Sequence, residues 1–202
     1  VGLEFDHMLA VGGGVRQHRH DHKGSVLKLN HSRAVLGHNT QRLAGEGYLR
    51  LRVALANVSE PRELVDPDGN RVQLVPPGFG GIEQWAIEVA CGSAAEFYSF
   101  YEAGLGLSRV SIAGANCAVR CGRSLIIGCV VPGLAEVAVT VSQNHSLEMR
   151  TRGFNYTTIQ VQKVDQVHAS VIANGGLEGR APTTLGETAR ISFVRDCRGN
   201  WM

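Results

Sequence analysis

Tyr48-Leu49-Arg50-Leu51-Arg52-Val53 alternates apolar and polar positions, placing Leu49, Leu51 and Val53 on one face of a strand. Ser25–Asn30 alternates in the same way, and Arg71–Val75 reads as a further short strand. In Ile82–Val89, Gln84, Ala86 and Glu88 point to one side while Trp85, Ile87 and Val89 point to the other. The period then changes. Ser93-Ala94-Ala95-Glu96 has the form of a capping box, and Phe97, Tyr101 and Leu105, with Phe100, make an apolar helical stripe. Gly104 is the expected left-handed stop. Strands are expected again at 117–121 and 124–131, and a second strand-helix pair at Tyr156–Gln162 and Asp165–Asn174. In that second helix Asp165 is the expected N-cap, Val167 and Val171 face inward, and Gly175-Gly176 ends it. A last strand is expected at Ala189–Arg195. Residues 1–24 show little pattern beyond Leu3–Asp6 and are broken by Gly12-Gly13-Gly14.

One turn occurs twice. Asp66-Pro67-Asp68-Gly69-Asn70 recurs as Asp196-Cys197-Arg198-Gly199-Asn200, each copy following an apolar stretch and opening another. Glycine near the end of the pentapeptide accepts positive φ, which suits a tight connection between antiparallel strands. A hairpin turn returning at domain-length spacing points to a duplicated unit. Pro76-Pro77-Gly78 with Gly80-Gly81 reads as a linker, dividing the chain into units 1–79 and 80–202. The second unit reads β-α-β-β followed by β-α-β-β, with its final strand only begun at Trp201-Met202.

The chain of 202 residues has room for one large or two small domains. A net charge of +2 gives no ground for nucleic acid or an anionic membrane as partner. No apolar run reaches the ~18 residues that a membrane span requires. The five cysteines are odd in number and contain no Cys-x-x-Cys pair, so reduced thiols and a cytoplasmic setting are expected, with a Cys117–Cys121 bridge the alternative.

The doubled turn, together with Phe97-Tyr98 and Gly104-Leu105-Gly106-Leu107 after the first helix, resembles the vicinal oxygen chelate superfamily. That group includes glyoxalase I, extradiol dioxygenases and bleomycin resistance proteins. The resemblance covers 82–202 well and 1–77 more loosely, as though both ends were truncated. It implies an α+β fold in which paired βαβββ modules form a curled mixed sheet around a cavity. It also implies a divalent metal (Fe, Mn, Zn or Ni) in enzymatic members, held by residues on the first and last strands of each module. Carried onto this chain, the first-strand position falls on Gln84, Ile126 stands where Glu is usual, and Tyr156 where His is usual. The final ligand position falls after Met202; in the earlier unit the corresponding positions are Gln73 and Lys28.

One amide does not make a divalent site. The expectation is therefore a protein that binds a small organic molecule through Gln84, Glu88, Tyr156, Thr158, Gln160 and Phe193, with no complete metal centre in 82–202. His18, His20 and His22 share a face if extended and are the remaining metal candidates, while His145 and His168 are expected at the surface. A metal-dependent lyase or ring-cleaving dioxygenase, and an inactive remnant, are the alternative readings. An unfinished sheet leaves an edge open, which argues for a homodimer.

Overall fold

The alternating stretches pair into three sheets. The computed structural model describes residues 3–34, 36–37, 47–134, 151–187 and 189–202. Its elements run β1 (Glu4–Ala10), β2 (Val15–His22), β3 (Ser25–Ser32), β4 (Tyr48–Ala54), β5 (Arg62–Val65), β6 (Arg71–Val75), β7 (Trp85–Cys91) and α1 (Ala94–Tyr98). A π-helical turn (Ser99–Gly104) prolongs α1, and β8 (Ser108–Arg109), β9 (Cys117–Cys121), β10 (Ser124–Val130), α2 (Val164–Ala173), β11 (Leu177–Leu185) and β12 (Ala189–Arg195) follow. Strands β1-β2-β3 form a meander, β11-β12 a hairpin, and the other seven one mixed sheet in the order β5-β6-β4-β7-β10-β9-β8.

The seven-stranded sheet is doubled about its centre. There β4 and β7 run antiparallel, with Arg50 opposite Glu88 and Leu51 opposite Ile87. Outward from each comes a parallel partner, β6 on β4 and β10 on β7, and then an antiparallel one, β5 and β9. The segment β7-α1-β8-β9-β10 is a complete β-α-β-β-β module; β4-β5-β6 repeats its strand order with no helix between β4 and β5. The linker around residue 79 therefore joins two modules of one sheet, and the central pair β4–β7 crosses the 79/80 division.

One face of this sheet carries Val89, Cys117, Val119 and Ile126, packed under Phe97, Phe100 and Tyr101 of the first helix and Val171 of α2. Farther along the same face, Val53, Leu74 and Trp85 meet Leu27 of the meander. The opposite face carries Ala54, Val75, Ala86, Leu125 and Ile127, covered by Val110, Ile112 and Ala115.

The first helix starts as expected: Ser93 Oγ accepts from Glu96 N at 3.1 Å, although Glu96 reaches back to Gly92 N. Its stop is not Gly104. That residue lies inside the π turn, where an added Cβ would meet Val171 Cα at 3.2 Å, so glycine is needed there for contact with α2. Positive φ comes two residues later, at Gly106. In α2 the N-cap is Lys163, without a side-chain cap bond, and Asp165 instead pairs with Arg190. Gly175 adopts positive φ, and Gly176 N donates to Val171 O at 2.9 Å, closing the helix as expected. His168 is a correction: it is buried, with Nε2 3.1 Å from Glu178 Oε2.

Residues 156–162 do not form a strand. Only Tyr156 pairs, in a parallel bridge with Trp201, which also bridges Arg195. Trp201-Met202 does begin a strand after the second turn, since Val194 and Met202 exchange backbone bonds of 2.8 and 2.9 Å. The two Asp-to-Asn turns are the same object. In both, Gly N donates to Asp O at 2.9 Å and Asp N to Asn O at 3.1 Å, with positive φ at Gly69 and Gly199. Strands β1, β2, β5 and β11 were not legible as alternation because both of their faces hold polar or exposed positions. The cysteines are free thiols, and the neighbour of Cys117 is Cys91, sulfur to sulfur 3.9 Å, rather than Cys121.

Candidate functional site

The period of two in β4 puts Arg50 and Arg52 on the face opposite the helices. Register then places Glu88 opposite Arg50, Gln73 opposite Arg52, and Ile127 opposite Glu88. Arg50, Arg52, Glu88 and Ile127 line a cavity of about 140 Å³ between β4, β7 and β10, with residues 112–116, Gly128 and Cys129 completing its wall.

Glu88 is its charged centre. The carboxylate is 6% exposed and accepts from Arg50 Nε at 2.9 Å and Nη2 at 2.8 Å, and Arg52 Nη2 closes on the same group. Arg50 also reaches Glu63 at 3.4 Å, and its bonds to Glu88 raise its affinity for its proton. Two groups are left over on neighbouring strands: Arg52 Nε, a donor, and Gln73 Oε1, an acceptor, are buried without a partner. The Cys129 thiol is pushed up to about 11 by burial and then by Glu88, so at neutral pH it is a neutral wall group and not a thiolate nucleophile.

Of the residues expected from sequence to bind a ligand, Glu88 alone lines this cavity. Gln84 is buried and fully used: Oε1 accepts from Ser124 Oγ at 2.7 Å and Ser25 Oγ at 3.1 Å, and Nε2 donates to His22 O at 2.5 Å and Lys23 O at 2.9 Å. It ties the β2–β3 turn to the seven-stranded sheet. Tyr156 is half-buried at its bridge, Thr158 and Gln160 are exposed, and Phe193 packs edge-on against Trp201. Ile126 turns toward the helices, and its neighbour Ile127 faces the cavity. Sequence reading missed Arg50 and Arg52, although their alternation was plain, because a polar strand face is ordinarily solvated.

The three histidines of β2 do not converge on a metal. His18 and His20 lie beside the Phe5 ring, and His22 packs edge-on against Trp85 at 4.8 Å. Among the described residues, no group of three or more His, Cys, Asp and Glu side chains could hold a metal ion; His145 lies outside them. Burial, and then the charge of Lys23, lower the His22 pKa, against smaller raising contributions from the Ala54 and Gln84 backbone and from Asp21. In the unfolded chain His22 takes its proton near pH 6.5, before the folded form does. Stability is thus full above that pH and falls as pH drops through the window below it. Urea midpoints measured from pH 7.5 downward are expected to fall less steeply in His22→Phe, which keeps the ring contact and removes the proton site.

The family resemblance implies a divalent ion, and the residues facing the cavity do not fit one. Divalent cations need several converging oxygen, nitrogen or thiolate donors. Here the carboxylate is already held by two guanidiniums, whose charge opposes a second cation, and the opposing last-strand position is Ile127.

No protein-family model matches the chain, and comparison with curated proteins finds no similar sequence. Solved structures do match. Glyoxalase I from Zea mays superposes with a TM-score of 0.59 at 14% identity, over 99% of this chain and 82% of that one. A mutant of the same Zea mays enzyme superposes with a TM-score of 0.59 at 13% identity, over 99% and 83%. A glyoxalase-related enzyme from Fulvimarina pelagi aligns over 57% of this chain and 81% of that one, with a TM-score of 0.39 at 17% identity, too loose a likeness to argue from. No helix among the described residues is long and apolar enough to cross a membrane. On the whole-length superposition and the doubled module order, the chain has the fold of glyoxalase I, as its sequence resemblance to the vicinal oxygen chelate group implied.

Proposed function

We propose that this glyoxalase-like chain binds a small organic molecule in the β4–β7–β10 cavity, and that it does so without a divalent metal. The observation carrying this reading is the charge arrangement: two guanidiniums converge on one buried carboxylate at the wall of a cavity of about 140 Å³. An apolar cavity of about that volume holds a benzene-sized molecule. This one is partly polar, with Arg50, Arg52, Glu88 and Asn116 in its lining. A ligand with an acceptor oxygen would suit the Arg52 guanidinium in that lining, and one with a hydroxyl beside it the Glu88 carboxylate, which points to small hydroxy-acid or hydroxy-carbonyl compounds.

The reading is tested with a set of such compounds, monitored by thermal shift and calorimetry with and without EDTA. At least one is expected to bind with the same affinity in chelator, and about tenfold more weakly to Arg52→Ala, the loss of one charged hydrogen bond. Binding abolished by EDTA would favour the metal-dependent lyase or dioxygenase. The cytoplasmic setting and the homodimer belong to the same proposal; in support of the latter, among the described residues β1 pairs with β2 alone, and Phe5, Met8 and Leu9 along it are exposed.

A further inference from the structure

Strands β2 and β3 pair in register, setting Gln17 opposite Asn30 and Arg19 opposite Lys28. The first pair is complementary: Gln17 Nε2 donates to Asn30 Oδ1 at 3.1 Å. The second sets two cations side by side. Like charges directly opposite in a sheet are destabilising, and among the described residues no carboxylate forms an ion pair with either. Arg19 Nε is buried with no partner at all. Lys28 Nζ spends one proton on Thr158 Oγ1 at 3.2 Å, a bond that brings the 156–160 segment beside β3. Burial and then the charge of Arg19 both lower the Lys28 pKa, so the ammonium lacks the anionic neighbour that would raise it.

The contrast with the β4–β7 cavity is one of charge balance. There two guanidiniums have Glu88 between them. Here, among the described residues, no carboxylate is ion-paired with Arg19 or Lys28, and a buried guanidinium N–H left unmade is costly.

We propose that Arg19, Lys28 and Thr158 form an anion-binding site, separate from the β4–β7–β10 cavity, that takes the oxyanion of a small molecule. A carboxylate or phosphate would accept from Arg19 and Lys28 at once, with the Thr158 hydroxyl as a third donor. These are charge-assisted bonds, the strong kind.

Calorimetric titration with inorganic phosphate and, separately, with lactate tests this at low ionic strength. One of the two is expected to bind saturably; which one identifies the headgroup. Lys28→Met is expected to weaken that binding about tenfold or more, and Thr158→Val less. Arg16→Met, an exposed cation on the other face of β2, is expected to leave it unchanged. Without added anion, Lys28→Met is expected to raise the melting temperature, because it removes a like-charge contact while keeping the chain length. Thr158 is exposed, so Thr158→Val gives a folded variant should Lys28→Met not fold. Absence of saturable binding by both anions would overturn the proposal. So would binding indifferent to Lys28→Met and Thr158→Val, or lost only in Arg52→Ala, which would assign the ion to the other cavity.

Discussion

Glu88→Ala is expected to lower the unfolding free energy by about 3 kcal/mol, the low end of the range for stranding buried charges. The carboxylate is 6% exposed, and its removal leaves the Arg50 and Arg52 guanidiniums facing each other without it. The low end applies because each arginine is about a fifth exposed, at 20% and 21%, and water screens part of the repulsion. Arg50 also keeps Glu63 at 3.4 Å. Glu88→Gln, which retains the shape and an acceptor oxygen, is expected to cost less. Urea denaturation reads both. A Glu88→Ala change within about 0.5 kcal/mol of wild type, the usual range for an ordinary surface site, would mean that the ion cluster does not organise this face.

The second large effect separates two copies of one turn. Asp196 is 3% exposed and accepts four hydrogen bonds, from Asn200 N at 2.9 Å, Asn200 Nδ2 at 2.8 Å, Arg198 N at 2.9 Å and Tyr101 Oη at 3.0 Å. Asp66 makes the first two of these, at 2.7 and 2.5 Å, on an exposed turn. Each buried donor left unmade costs about 1–3 kcal/mol, whereas water can replace the lost acceptor at the surface. Asp196→Ala is therefore expected to cost about 3 kcal/mol or more, and Asp66→Ala about 1 kcal/mol. The buried copy also anchors the last module to the first helix, through Arg198 bonds to Glu96 of 2.7 and 2.9 Å. Paired denaturation curves decide it. Equal costs would show that burial does not distinguish the two turns.

Much of the fold was legible because its signals are local. The Ser93 cap, the Phe97–Phe100–Tyr101 stripe, the repeated Asp-to-Asn turn and the alternation of β4 and β7 each follow from residues within a few positions of one another. What failed was pairing at a distance. Sequence order joined the 82–130 module to the 156–202 module, but β7 found its partner upstream in β4, where the Arg50–Glu88 match and the shared apolar face of Val53 and Trp85 fix the register. Gln84 was expected as a ligand because the first-strand ligand position of the family it resembles falls there. The strand starts one residue later, and the amide is consumed by the β2–β3 turn and Ser124. Glu88 was expected to face a cavity from its parity with Gln84, and it lines the one between β4, β7 and β10. Its arginine partners could not be assigned to it without knowing which strand lies alongside.

In the function proposed above, an ion cluster, and not a bound cation, organises the face of the seven-stranded sheet that carries the cavity. Equilibrium dialysis of wild type and Glu88→Gln against manganese, iron, zinc and nickel, with the bound metal counted per chain, tests it most directly. Less than about a tenth of an equivalent of each metal is expected in both proteins, since one paired carboxylate is too small a donor set. Near-stoichiometric metal in the wild type that is lost in Glu88→Gln would contradict it.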